Sequence, residues 1–227
     1  MEQHKNTLSS IELFQDLTED QLQRVQMIAT EHKYARGDYV FMEGQKRENV
    51  YFVERGLIKI FRVDEEGREH IVNILGASQM FPHVGFFDDS PYPGTAEAIS
   101  SSHLIAISST KFEVLLNEDV EIARSVMRMM GKMILQLQAK LRELALFDAR
   151  ERVGALVRHF AEEYGQLRSD GIHVKLPVTH SELAHMIGMS RESVNRIWNE
   201  MRREGLLAGD KEEWIVDKNW YTSFISS

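Results

Sequence analysis

Between Val120 and Leu146 the chain runs without a proline and with one glycine, Gly131, while apolar residues return every third or fourth position. A helix of about 27 residues is roughly 40 Å long at 1.5 Å rise per residue. That is longer than the surface of a small domain requires, so this segment predicts a spine between two units. Its apolar row is Ile122, Val126, Met129, Met133, Leu137, Leu141 and Leu144. The spacing is close to a coiled-coil seam, with a slip where three steps of four follow one another from Met129 to Leu141. The expectation is self-association through these seven residues, with domains at 1–118 and 148–227 flanking a helix at 119–147.

The two flanks differ in texture. Residues 8–32 predict a helix: Thr18, Asp20 and Gln21 precede apolar positions Leu22, Val25, Ile28 and Ala29 at helical spacing. Beyond His32 short segments rich in β-branched and aromatic residues alternate with glycines. Tyr39–Met42, Val50–Glu54, Leu57–Val63, His70–Leu75, Thr95–Ile99 and His103–Ile107 are each of strand length. Residues 64–67 (Asp-Glu-Glu-Gly) predict a hairpin turn with Gly67 free to take positive φ. Many short strands at regular turn spacing mean a sandwich or barrel. Three of the four prolines, Pro82, Pro91 and Pro93, fall between Phe81 and Gly94, which excludes regular sheet or a long helix there.

On the other flank Asp148 opens a helix whose face is Val153, Leu156, Val157, Phe160, Ala161 and Tyr164, and Gly165 can end it. Residues 172–178 predict a strand. Then Thr179 with Glu182 fits a capping box, Gly188 permits a tight turn, and Ser190 is a good N-cap for a second helix. Small Ala184 lets the two helices approach, and Val194 and Ile197 pack the second one. This is helix–turn–helix spacing. At about 100° per residue Arg191, Glu192, Asn195, Arg196 and Asn199 gather on one face of the second helix. Val194, Ile197, Trp198 and Met201 gather on the other. Arginine forks, a carboxylate and amides on one exposed face are the groups that read guanine, cytosine and adenine edges. The candidate DNA-binding residues are therefore Thr179, Ser190, Arg191, Glu192, Asn195 and Arg196. Leu207 and Trp214–Val216, on either side of a polar 209–213, predict a β-hairpin wing.

Composition bears on this in two ways. The net charge of −8 runs against a basic footprint, and four Arg balance four Glu even within 179–207. Binding must therefore rest on locally placed arginines and on correct geometry, with weak nonspecific affinity. The absence of cysteine excludes disulfides, thiolate metal sites, cysteine-ligated iron–sulfur clusters and cysteine nucleophiles. No apolar run reaches the roughly 18–20 residues of a membrane span, and the first seven residues are polar, so a cytoplasmic location without membrane partners is expected. No phosphate-cradling loop, HExxH spacing or nucleophile elbow is present, and an enzyme is not expected.

With these motifs in view, the chain resembles the CRP/FNR family of bacterial regulators over nearly its whole length. The resemblance is carried by VYFVERGLIKIFRVDEEGRE (50–69), the Gly- and Pro-punctuated stretch after it, the long helix running into LFDARERV (146–153), and SRESVNR (190–196). It implies an α+β chain with an N-terminal cyclic-nucleotide-binding-type β-roll (jelly roll), a dimerisation helix and a C-terminal winged helix–turn–helix. Arg191, Glu192 and Arg196 match the base-reading positions of the CRP branch, which implies a homodimer on an inverted palindrome similar to TGTGA. RNA polymerase is the further partner implied, with activation the expected role.

The effector is where the sequence departs from the family. In cAMP-binding members a Glu meets the ribose and an Arg neutralises the phosphate. In FPHVGFFDDSPYPGTAEA (81–98) His83 stands at the Glu position and Pro93 or Gly94 at the Arg position, and no Lys or Arg occurs from 81 to 102. The adenine-facing positions of the long helix are Leu137 and Gln138. The candidate pocket is thus Phe81, His83, Val84, Gly85, Phe86 and Thr95 with Met133, Leu137 and Gln138, and cAMP is not expected to bind there at ordinary affinity. An unidentified small ligand in a metal-free apolar pocket, or none, is the main expectation. The alternatives are a haem-based gas sensor using His83, as in the family's CO sensors, and a sensor module acting through protein contacts.

Overall fold

The computed structural model describes residues 8, 11–15, 17–83, 90–209 and 213–225. The chain divides into two compact units, 1–136 and 137–227. In the first, a short 3-10 turn (Glu12–Phe14) precedes helix α1 (Glu19–Ile28). The Thr18 hydroxyl accepts from the Gln21 N–H, and the Gln21 side chain accepts from the Thr18 N–H, so two orphan donors are satisfied. Helix ends there. Residues Ala29–Tyr34 form strand β1 instead, paired antiparallel with a strand at Ser102–Ser108, which corrects the expectation of helix to residue 32. The apolar period stops at Ala29, where the next turn offers only His32 and Lys33, and sheet pairing takes over.

Seven more strands follow: β2 (Tyr39–Phe41), β3 (Asn49–Arg55), β4 (Ile58–Val63), β5 (Glu69–Leu75), β6 (Met80–Phe81), β7 (Thr95–Ala98) and β8 (Ser102–Ser108). They form two four-stranded sheets, ordered β1-β8-β3-β6 and β2-β7-β4-β5. Strand β3 shows how they stack. Val50 and Phe52 face a cluster with Phe14, Val25, Ile105 and Ile107, while Tyr51 and Val53 face Phe41, Ile58, Leu75 and Ala96 of the other sheet. Strand β3 is therefore buried on both faces. The interior between the sheets is aromatic: Phe41 stacks on Tyr92 at 3.7 Å and Phe81 on Tyr51 at 5.4 Å, with Ala96, Ala98 and Ala106 leaving room.

The β4–β5 hairpin is closed as the sequence predicts. Gly67 has φ +78°, and the Asp64 carboxylate accepts from the Glu66 and Arg68 N–H groups at 2.9 Å each. The turn before β4 is more demanding. Gly56 has φ +95°, and a Cβ there would sit 2.3 Å from Ser102 Oγ and 2.7 Å from the Ser101 carbonyl oxygen. Gly56→Ala is expected to cost about 3 kcal/mol, from left-handed strain plus overpacking. Urea unfolding of the full chain measures it, and an unchanged midpoint would refute the clash.

Helices α2 (Ser109–Glu118) and α3 (Val120–Leu146) follow. Ile122 and Val126 are 0 % and 5 % exposed in the first unit's own core, with Met129 packed against them. Met133 is half-buried. Ile122 and Val126 thus belong to the first unit's own core, and Met129 is partly buried beside them. A second row is exposed: Met127, Met130, Ile134, Leu137 and Leu141, spaced three, four, three, four. At about 100° per residue three steps of four drift by about 120°, so the row predicted from sequence crosses from one stripe to the other. The Leu144 side chain lies outside the described residues.

In the second unit α4 (Ala149–Tyr164) starts at an Asp148–Glu151 capping box. Strands β9 (Gly165–Leu167) and β10 (Ile172–Lys175), helices α5 (His180–Met186) and α6 (Arg191–Arg203), strands β11 (Leu207–Gly209) and β12 (Glu213–Val216), and helix α7 (Lys218–Ile225) complete it. The sheet order is β11-β12-β10-β9. Leu176–Val178, expected to continue β10, is not strand, and β9 and α7 were not foreseen. Trp214 anchors the core between Phe160 at 5.9 Å and Trp198 at 4.8 Å, both edge-on. No helix among the described residues is long and apolar enough to cross a membrane.

Buried His173 in β10 lies between two carboxylates, with Nδ1 3.0 Å from Glu213 and Nε2 2.9 Å from Asp170. Both nitrogens must donate to satisfy both, so the hydrogen bonds to Glu213 and then Asp170 raise its pKa, against burial and Arg168. A raised folded-state pKa stabilises the fold fully below the unfolded value of about 6.5, and the benefit fades as pH rises through the folded one. The difference in melting temperature between the parent and His173→Gln is expected to be largest below about pH 6.5 and to shrink in alkali. A gap independent of pH would remove the charge from the account.

Candidate DNA-binding site

The recognition face is assembled by local chemistry. The Thr179 hydroxyl accepts from the Glu182 N–H at 3.2 Å, and Glu182 Oε2 accepts from the Thr179 N–H at 2.7 Å. Gly188 turns the chain with φ +62°. The Ser190 hydroxyl then accepts from the Ser193 N–H at 3.2 Å and starts α6. Thr179 and Ser190, both candidate DNA contacts, therefore serve as helix caps.

Helix α6 buries Val194, Ile197, Trp198 and Met201 against a unit whose other core residues include Leu183, Ala184, Val153 and Val157. Arg191, Glu192, Asn195, Arg196 and Asn199 are exposed. The division expected from sequence between a polar and an apolar face thus holds for every residue named. At the helix C-terminus the Arg150 guanidinium binds the Glu204 carboxylate, one contact measuring 3.0 Å, and ties α6 to the first turn of α4. Arg196 is paired with Glu200 at 3.0 Å.

Sequence reasoning missed one contact on this face. His180 Nδ1 lies 3.1 Å from Asn195 Oδ1, and the His180 ring lies 5.0 Å from that of Trp198. Position 180 is the first residue after the cap of α5, and its side chain reaches across to α6.

The expected effector residues divide differently. Val84, Gly85 and Phe86 lie outside the described residues. Phe81 is 1 % exposed in the aromatic interior of the roll, where its ring packs on those of Phe41 and Tyr51. The Thr95 hydroxyl accepts from the Glu43 N–H at 3.1 Å. Burial alone pushes the His83 imidazole down to about 4, so it is uncharged at neutral pH. Leu137 and Gln138 are exposed, and Leu137 belongs to the exposed row of α3. Among the described residues no cluster of three or more His, Asp or Glu side chains is placed to hold a metal ion.

A winged helix–turn–helix with an exposed Arg–Glu–Arg face, in a chain that also carries a cyclic-nucleotide-type roll, defines a DNA-binding transcriptional regulator. The family model for the cyclic nucleotide-binding domain matches residues 31–119, and that for the Crp-like helix-turn-helix domain matches 151–219. The chain belongs to the CRP/FNR family. It is 25% identical to the anaerobic regulatory protein of Bacillus subtilis over 88% of this chain and 84% of that one. It is 26% identical to the CRP-like cAMP-activated global transcriptional regulator of Mycobacterium tuberculosis over 79% and 84%. The c-di-GMP responsive global regulator CLP of Xanthomonas campestris shares its fold at a TM-score of 0.73 and 21% identity, over 88% of this chain and 99% of that one.

Proposed function

We propose that the protein binds DNA as a homodimer, reads an inverted palindrome of TGTGA-like half-sites, and activates transcription in contact with RNA polymerase. The observation that carries this reading is the exposed Arg191, Glu192 and Arg196 on a helix whose opposite face is fully buried. Arg forks suit guanine O6 and N7, and Glu192 suits the cytosine N4 donor. Dimerisation is supported by the row Met127, Met130, Ile134, Leu137 and Leu141, whose three-and-four spacing is that of a coiled-coil seam. A two-fold dimer explains why a neutral recognition segment suffices: two weak half-site grips on one linked molecule act together.

The relatives' names point to different nucleotides, cAMP in one and c-di-GMP in another. Neither is transferred here, because no cation between 81 and 102 could neutralise a cyclic phosphate. An effector without phosphate, or none, fits this chain better. The test is fluorescence anisotropy of the ligand-free protein on a TGTGA-type palindrome and on a shuffled duplex at one near-physiological salt concentration. Preference for the palindrome supports the reading and means the apo dimer is already competent. Equal binding to both overturns the half-site assignment for the ligand-free state, and random-site selection then identifies the site.

A further inference from the structure

We infer that His180 is a positioning residue for base recognition: it holds the Asn195 amide by its carbonyl and biases the amide toward presenting its N–H groups to the DNA. This rests on the proposed reading of α6 and adds a fourth base-reading position to it. Asn195 lies one turn beyond Arg191 and next to Arg196, on the exposed face. Its Oδ1 is 3.1 Å from His180 Nδ1. A carbonyl oxygen only accepts, so Nδ1 carries the proton and donates. The imidazole is itself held from two sides. The Thr179–Glu182 box fixes the start of α5, and the ring packs at 5.0 Å on Trp198, which is buried in the core.

The consequence is chemical. An unrestrained Asn offers an acceptor and a donor together and grips adenine bidentately at N6 and N7. With one of the two Oδ1 lone pairs taken by His180 and the amide held by that bond, Asn195 favours donation over the paired acceptor–donor grip. It then suits guanine N7 or O6 and thymine O4, leaves the adenine N6 donor unpaired, and meets the cytosine N4 donor with a like group. This replaces the adenine contact expected of Asn195 from sequence.

The experiment measures binding to duplexes carrying each of the four base pairs at every half-site position, for the parent and for Asn195→Ala, Asn195→Asp, His180→Phe and His180→Asn. In the parent one position is expected to favour an acceptor base by about tenfold, the usual scale of a single mismatch. Asn195→Ala flattens that position alone. Asn195→Asp, which replaces donors by acceptors, turns it toward cytosine. His180→Phe keeps a ring on Trp198 but removes the donor, and admits adenine there. His180→Asn places an amide N–H near the lost Nδ1–H and restores the parent profile.

Unchanged profiles in both Asn195 variants overturn the base-reading role. A parent profile in His180→Phe, or a His180→Asn profile identical to that of His180→Phe, overturns the hydrogen bond as its cause. The underlying reading of α6 fails separately, when Arg191→Ala and Arg196→Ala also leave every position unchanged. Altered profiles in those two with none in Asn195→Asp sink the present inference alone.

Discussion

Glutamate at both Leu137 and Leu141 is expected to make the protein monomeric and to weaken palindrome binding by a factor of about 10² to 10⁴. Both side chains stand in water on the single chain, 61 % and 67 % exposed, and a partner helix would cover them. Burying a leucine is worth about 1.5–3 kcal/mol. The double variant forfeits that from four side chains per dimer and sets four carboxylates against one another. The loss on DNA follows from the loss of the dimer. When one half-site is bound, the second binding event is intramolecular, and that avidity is worth about 10² to 10⁴. Leu135→Glu is the control. Leu135 is just as exposed, at 66 %, but lies about 120° round the helix from the centre of the row, so it is expected to leave the dimer intact. Sedimentation velocity reads the oligomer and anisotropy the affinity. A double variant that still sediments as a dimer would remove the row from the interface.

The same helix shows where sequence is readable and where it is not. Its limits, Val120 and Leu146, follow from residues that are neighbours in the chain, and so do the Thr179–Glu182 box, the Gly188 turn and the Ser190 cap. What periodicity could not separate is two apolar stripes lying side by side. Ile122 and Val126 satisfy the helical period as well as Leu137 does, yet they are buried in their own unit. Only tertiary packing distinguishes them.

Strand β1 failed for a related reason. Its partner β8 lies more than sixty residues away, and its side chains are mostly exposed, so it carries neither a local nor an apolar signal. Helix α7 was hidden by composition, since Trp220, Tyr221 and Phe224 read as strand formers. Its cap was nonetheless legible, with Asp217 accepting from the Trp220 N–H at 2.8 Å. The His180–Asn195 contact joins two helices and has no period, so residue spacing alone could not pick it out.

Arg191→Ala and Arg196→Ala are each expected to cost about 1–3 kcal/mol of specific binding per half-site. If the two half-sites add, that is about 2–6 kcal/mol for the dimer. Arg196 begins from a pair with Glu200 in which its own side chain is 63 % exposed and that of Glu200 38 %. An exposed pair of this kind is worth about 0–1 kcal/mol, so exchanging it for a bidentate guanine contact is favourable. Arg→Lys at the same positions separates charge from shape. Lysine keeps the cation but lacks the planar fork, so these variants are expected to retain the salt dependence of the parent and lose much of its preference for the palindrome. A phosphate contact gives the opposite signature: Arg→Ala then weakens binding equally on the palindrome and on a shuffled duplex, and the salt slope falls by about one per lost contact. Whichever arginine shows that signature positions the helix on the backbone, and sequence discrimination then rests on the other arginine with Glu192 and Asn195.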